Sequence, residues 1–282
     1  MATPLPDRVP FAKMNGAGND FILVDGTDGR FDGVDLSALA RLLCRPHFSI
    51  GADGLIVLVP STAADFAWRF HNADGSEAAM CGNGSRCAAR FARMRGIVSR
   101  DEMTFLTLAG KIHARLVPGG AIVRMTDPKG YRDRFALPLK SATREAWFVD
   151  AGVPHAVVPV EKIDAHDVAG EGREARFHPL FAPAGTNADF VARIGENRIR
   201  ARVYERGVEA ETLACGTGAV ASALVAERLG WARSPVEVIT SGGGLLLVHF
   251  EGAWGAHTNV HLEGDARLVY EGEWREDSLR DT

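Results

Sequence analysis

The sequence predicts an α/β (α+β) protein built from two copies of one unit, and three observations lead there. Many short apolar runs are broken by glycine and proline, with few stretches of helical period. Sliding the chain along itself until Cys81 falls on Cys215 brings Cys81-Gly82-Asn83-Gly84 onto Cys215-Gly216-Thr217-Gly218. At that same offset the surroundings coincide as well. A strand-like run ending in an aromatic precedes each cysteine (66–70 and 199–204), and an Ala-rich segment follows it (87–95 and 219–229). Each segment stops at a glycine, Gly96 or Gly230, where a helix C-cap belongs. A single shared motif is weak evidence, but one offset spanning strand, loop, helix and helix end marks a duplication.

In chain order, strands are expected at 10–14 and 21–25, either side of Ala17-Gly18-Asn19, then at 54–59, 66–71, 103–108, 111–117 and 121–125. The second copy supplies strands at 147–150, 155–160, 188–192, 198–204, 236–240, 244–250, 257–262 and 266–271. Helices are expected at 35–44, 83–95 and 217–229. The last is apolar on nearly all faces until Glu227, so it belongs inside a curved sheet. Asp127-Pro128-Lys129-Gly130 reads as the linker between the copies.

At 282 residues, 46% hydrophobic and 24% charged, the chain is long enough for two domains. A net charge of -4 with scattered arginines offers no footprint for nucleic acid or an anionic membrane. No apolar run approaches the ~20 residues of a membrane helix. Residues 1–10 lack a charged-then-apolar signal pattern, so a cytoplasmic protein is expected. Cys44, Cys81, Cys87 and Cys215 form no C-x-x-C pair, which argues against a zinc site or a secreted disulfide framework. Cys44 and Cys87 read as small core residues. The histidines lack metal-ligand spacing, and no metal site is expected.

Cys81 and Cys215 invite a different reading. At a helix start, unpaired N–H groups carry partial positive charge and favour a thiolate or a bound carboxylate. A cysteine pKa of ~8.5 falls to roughly 3.5–7.5 in such a place. Two such thiols, one on each side of a cleft, suit inversion of a tetrahedral carbon: one removes the Cα proton and the other delivers a proton to the opposite face. The N–H groups of Gly82, Asn83, Gly216 and Thr217 are placed to hold a carboxylate as it gains enediolate charge.

Along essentially its whole length the chain resembles the diaminopimelate epimerase family. The first half carries the resemblance in Lys13-Met14-Asn15-Gly16-Ala17-Gly18-Asn19-Asp20-Phe21, Gly51-Ala52-Asp53-Gly54-Leu55, Asn72-Ala73-Asp74-Gly75-Ser76-Glu77 and Cys81-Gly82-Asn83-Gly84-Ser85-Arg86-Cys87. The second half adds Gly152-Val153-Pro154-His155, Thr186-Asn187, Tyr204-Glu205-Arg206-Gly207 and Cys215-Gly216-Thr217-Gly218. The resemblance implies a cofactor-independent, pyridoxal-free isomerase that interconverts LL- and meso-diaminopimelate for lysine and cell-wall synthesis. It implies two pseudo-symmetric domains, 1–128 plus 265–282 and 129–264, each a curved, mostly antiparallel sheet wrapped around a central helix. The site would lie between them, and the assembly would be a homodimer. Cys81 and Cys215 match the alternating acid and base, and His155 and Glu205 match residues that adjust the cysteine pKa values. Asn19, Asn72, Asn187, Glu205 and Arg206 match substrate-binding residues, with Arg206 suited to a carboxylate by its fork of donors. Two positions depart from the common pattern: Val153 and Gly54 stand where the family often has Asn and Gln. Asn83, where related proline racemases carry His, favours diaminopimelate as substrate.

Plainer readings exist for several of these residues. Asn72 and Asn187 also suit turns, Glu205 and Arg206 a solvated pair, and His155 a core histidine. Gly216-x-Gly218-x-x-Ala221 loosely fits a dinucleotide fingerprint, but polar Glu209-Ala210-Glu211-Thr212 precedes it in place of a buried strand. A pyridoxal racemase needs a Schiff-base lysine, and none of Lys13, Lys111, Lys129, Lys140 and Lys162 has a convincing setting. A catalytically dead binding protein of this fold is the third alternative, disfavoured by retention of both cysteines.

Overall fold

A computed structural model describes residues 8–275 and residue 277. Part of the N-terminal segment read above, and the ends of the first predicted domain at 1–7, 276 and 278–282, lie outside the described residues. The chain divides into two compact units after Val123 and after Glu263, the last segment joining the first unit.

The first unit contains β1 (Arg8–Gly16), β2 (Asn19–Asp25), α1 (Leu36–Leu43), β3 (Gly54–Val59), β4 (Phe66–Asn72), α2 (Gly82–Met94), β5 (Glu102–Thr107), β6 (Gly110–Val117) and β7 (Gly120–Arg124). The second holds β8 (Lys129–Pro138), β9 (Thr143–Asp150), β10 (Pro154–Pro159), α3 (Val168–Arg176), β11 (Asn187–Gly195), β12 (Arg198–Glu205), β13 (Ala210–Thr212), α4 (Gly216–Arg228), β14 (Val236–Ile239), β15 (Leu245–Glu251) and β16 (Thr258–Asp265). Strand β17 (Arg267–Arg275) then pairs antiparallel with β1 in the first unit.

The pairing scheme of the first unit recurs in the second. β1–β2 is antiparallel, β2–β3 parallel, β3–β4 antiparallel, β4–β5 parallel and β5–β6 antiparallel. β9–β10, β10–β11, β11–β12, β12–β14 and β14–β15 follow the same sequence of directions. The fold is thus sheet-dominated α+β, mostly antiparallel, with parallel steps where a helix crosses over.

Each sheet wraps a helix. α2 packs on β1, β2, β3 and β6, and α4 on β9, β10, β11, β12, β14 and β15. Every residue of α4 from Gly218 to Ala226 is buried, which its all-round apolar sequence demands. Both helices end alike. Gly96 (φ +73°) and Gly230 (φ +71°) adopt the left-handed conformation that favours glycine. The N–H of Gly96 bonds Arg93 O and that of Ile97 bonds Ala92 O; Gly230 and Trp231 repeat this with Glu227 O and Ala226 O. These are two Schellman ends, at the glycines that the sequence marked.

Some elements differ from expectation. α2 and α4 begin one residue earlier than predicted, so each cysteine is itself the cap. Lys129-Gly130, read as linker, opens β8. That strand escaped notice because Asp133 breaks its apolar face, where it accepts from Trp147 Nε1 at 2.8 Å. Helix α3 was missed because Gly170 and Gly172, each costing about 1 kcal/mol relative to alanine, lower its propensity. Packing explains one of them: a Cβ at Gly172 would lie 2.5 Å from Tyr204 Cβ, so the helix rests directly on β12. The loose dinucleotide motif lies inside α4, preceded by three-residue β13, which pairs antiparallel with β12.

Candidate active site

Both cysteines singled out by the repeat cap a central helix. Their backbones are extended, at φ −145°, ψ 121° for Cys81 and φ −123°, ψ 113° for Cys215, and the chain turns helical at the next glycine. Cys81 Sγ accepts from the Gly84 N–H at 3.4 Å, and Cys215 Sγ lies 3.5 Å from Thr217 Oγ1. The second glycine of each motif is set by contact with the sheet. A Cβ would lie 3.1 Å from Ile56 Cδ1 at Gly84, and 2.9 Å from Val203 Cγ2 at Gly218.

Around Cys81 the first unit assembles amides and one buried cation. Asn83 donates to Asn19 Oδ1 at 2.6 Å, and Asn19 donates to Asp53 Oδ2 at 3.0 Å. Arg86 is fully buried and donates to Asn83 Oδ1, Gly82 O and Asp265 O at 2.8, 3.3 and 3.1 Å. Burial lowers its pKa, with Cys87, Cys81 and Asp265 opposing the shift. Asn72 ends β4 opposite Gly54 and donates to Ser76 Oγ at 3.0 Å, a turn contact.

Around Cys215 the second unit assembles acids and a histidine. His155, the second residue of β10, stands opposite Asn187 on β11. Asn187 Nδ2 donates to Pro154 O at 3.0 Å, and Asn187 Oδ1 accepts from the Arg206 N–H at 2.7 Å. Glu205 accepts from Thr212 Oγ1 at 3.0 Å, while Arg206 Nη1 donates to Ala184 O at 3.2 Å. Burial raises the Glu205 pKa. Burial also pushes the Cys215 thiol well above its ordinary value, and the carboxylates of Glu205 and Asp189 push it further. Both effects favour the protonated form of Cys215, against the lowering expected of a cysteine at a helix start. Cys44 and Cys87 are buried core residues, each pushed up to about 12 by burial.

The family model of diaminopimelate epimerase matches the chain twice, over residues 11–130 and 147–266. The chain belongs to the diaminopimelate epimerase family. It is 42% identical to diaminopimelate epimerase from Aquifex aeolicus over 279 residues, covering 95% of this chain and 99% of that one. With the diaminopimelate epimerase of a Hydrogenobaculum species it shares 42% over 272 residues, 92% and 96% of the two chains. Among solved structures, a PhzF-family phenazine biosynthesis protein from Bacillus anthracis superposes with TM-score 0.76 at 14% identity, covering 95% of this chain and 99% of that one. A probable proline racemase from Agrobacterium radiobacter K84 gives 0.67 at 17% identity, covering 94% and 92%. These two show the fold alone. Membership of the diaminopimelate epimerase family makes the chain an isomerase of the epimerase kind. Among the described residues no helix is long and apolar enough to cross a membrane.

Each unit thus gathers its own share of the residues expected from the diaminopimelate epimerase family. Cys81, Gly82, Asn83, Asn19 and Asn72 sit at strand ends and a helix start of the first unit. Cys215, Gly216, Thr217, His155, Asn187, Glu205 and Arg206 stand at or beside the matching ends in the second. Arg86, Asp53, Thr212 and Asp189 were not anticipated. A signal for Asp189 existed: it is a lone carboxylate in the otherwise apolar Ala188-Asp189-Phe190-Val191.

Gly54, one of the two departures from the common diaminopimelate epimerase pattern, has a packing reason. A Cβ there would lie 2.5 Å from Phe70 Cε2 and 2.8 Å from His71 O. Gly54→Gln is expected to destabilise the protein by about 1–3 kcal/mol through overpacking. Adding Phe70→Leu should recover part of the loss. Urea unfolding of the single and double variants checks this; a single variant as stable as the parent would mean the space exists after all.

Proposed function

We propose that the protein interconverts LL- and meso-2,6-diaminopimelate in the cytoplasm by proton transfer at Cα between two cysteines, without a cofactor. The step serves lysine and peptidoglycan-precursor synthesis. One observation carries the reading: in a chain of this family, each of two like units places a cysteine at the N-cap of its buried helix. The same membership implies a homodimer.

In one direction Cys81, as thiolate, takes the Cα proton, and Cys215, as thiol, delivers a proton to the opposite face. The reverse reaction exchanges the roles. The Gly84 N–H and the helix start favour negative charge on Cys81. Acidic, buried surroundings keep the Cys215 proton in place until it is needed. The carbanion is the costly species. First-turn N–H groups of Gly82, Asn83, Gly216 and Thr217 hold the substrate carboxylate as enediolate charge develops. Asn19, Asn72, Asn187, Glu205 and Arg206 bind the rest of the substrate, Arg206 by its fork of donors. His155 and Glu205 tune the thiols.

The test is incubation in D₂O with LL-diaminopimelate, and separately with proline and other amino acids, reading mass and chirality together. Deuterium should enter at one Cα of diaminopimelate as the meso isomer accumulates. Inversion of another amino acid in place of diaminopimelate would overturn the substrate assignment, and inversion without deuterium uptake would overturn proton transfer.

A further inference from the structure

Asp189 is fully buried on β11. A buried carboxylate costs several kcal/mol unless it is paired. Its partner is His155, also fully buried, whose Nδ1 lies 3.0 Å from Asp189 Oδ1 and 2.8 Å from Oδ2. His155 Nε2 lies 3.0 Å from Thr217 Oγ1, which lies 3.5 Å from Cys215 Sγ. Asp189, His155, Thr217 and Cys215 therefore form one chain of contacts.

The direction of that chain follows from its neighbours. Asn187 Oδ1 accepts from the Arg206 N–H, so its other terminal atom is the nitrogen, which donates to Pro154 O. That nitrogen also faces His155 Nε2 at 3.4 Å. A donor on that side leaves Nε2 as an acceptor and puts the ring proton on Nδ1, toward Asp189. Thr217 then donates its hydroxyl proton to Nε2 and turns a lone pair to the Cys215 S–H.

The fold does not demand this pair. When Cys81 is laid on Cys215, His155 matches Phe21 and Asp189 matches Leu55, and both of those are buried hydrocarbons. The same two places are filled by apolar side chains in one unit and by an imidazole–carboxylate pair in the other.

We propose that Asp189 is a positioning residue for Cys215: it fixes the His155 tautomer, and through Thr217 it orients and retains the thiol proton that Cys215 delivers. The proposal rests on the two-cysteine reading above. The charged and titratable groups facing Cys215 are Glu205 from β12, Asp189 from β11 and, through Thr217, His155 from β10.

Asp189→Asn keeps the shape and removes the charge. Its kcat should fall between about tenfold and a hundredfold, below the full ~10²–10⁴-fold worth of an acid–base group. KM should stay within about twofold, since Asp189 does not touch substrate. The pH profile of iodoacetamide labelling, read separately at Cys81 and Cys215 by peptide mass spectrometry, supplies the second readout. Losing a nearby negative charge favours the thiolate, so the Cys215 midpoint should move to lower pH while that of Cys81 stays. Thr217→Val cuts the chain elsewhere and removes the lone pair that accepts the Cys215 S–H, so its Cys215 midpoint should also move to lower pH. If Asp189→Asn does not fold, Thr217→Val decides. Midpoints that stay put, or that move together at both cysteines, overturn the proposal. An active Cys215→Ala variant would instead sink the two-cysteine reading. An inactive Cys215→Ala beside an Asp189→Asn of parental kcat and labelling profile would sink the Asp189 proposal alone.

Discussion

Cys81→Ala and Cys215→Ala are each expected to abolish epimerisation while leaving the protein folded. An acid or base positioned at the reacting carbon contributes ~10²–10⁴-fold, and inversion needs both groups in every turnover, so either loss should take the rate down by at least that factor. Folding should change far less. The Cys215 side chain makes no capping hydrogen bond, so its removal costs little beyond a few buried contacts. Cys81 does cap, through the Gly84 N–H, and losing a cap costs about 0.5–2 kcal/mol. Chiral chromatography of the product, beside urea unfolding of each variant, separates the two effects. A single variant retaining a tenth or more of parental activity would end the two-thiol mechanism.

Gly218→Val should be nearly as damaging, by another route. By helix propensity alone, replacing a glycine in α4 is favourable by up to about 1 kcal/mol. Packing outweighs this. The first added carbon already falls 2.9 Å from Val203 Cγ2 and 3.3 Å from Asp189 Oδ1, and valine adds two methyl groups. Overpacking of this kind costs about 1–3 kcal/mol. The helix start must shift, carrying Cys215 with it, and a displacement near 1 Å costs about 10²-fold in rate. Activity should therefore fall more than stability. Equal catalytic rates in parent and variant would show that the glycine serves the helix rather than the sulfur.

The duplication, the central helices and their glycine ends were legible in the sequence because each rests on local chemistry: a repeated motif, an apolar helix face, a left-handed cap. Strand β8 and helix α3 were not, since their justification is tertiary. Asp133 is tolerated on its strand by Trp147, and Gly172 in its helix by Tyr204. The site divides the same way. Cys81 and Cys215 announce themselves through Cys-Gly-x-Gly, whereas Asp189 gains meaning only beside His155, 34 positions earlier in the chain. Asn72 and Asn187 are each engaged with their own chain. Asn72 bonds Ser76 as a turn residue would, and Asn187 ties the β10 start to the Arg206 backbone.

The unlike surroundings of the two sulfurs bear on how such an enzyme could arise. An ancestor half this size, working as a symmetric pair, would present two thiols of identical acidity, and neither would be preset to give or to take. Joining the halves in one gene released each from the other's sequence. Arg86 could then persist behind one sulfur while Val220 occupies the equivalent place behind the other. Selection could thereafter act on the difference between the copies, a quantity that a symmetric ancestor did not possess.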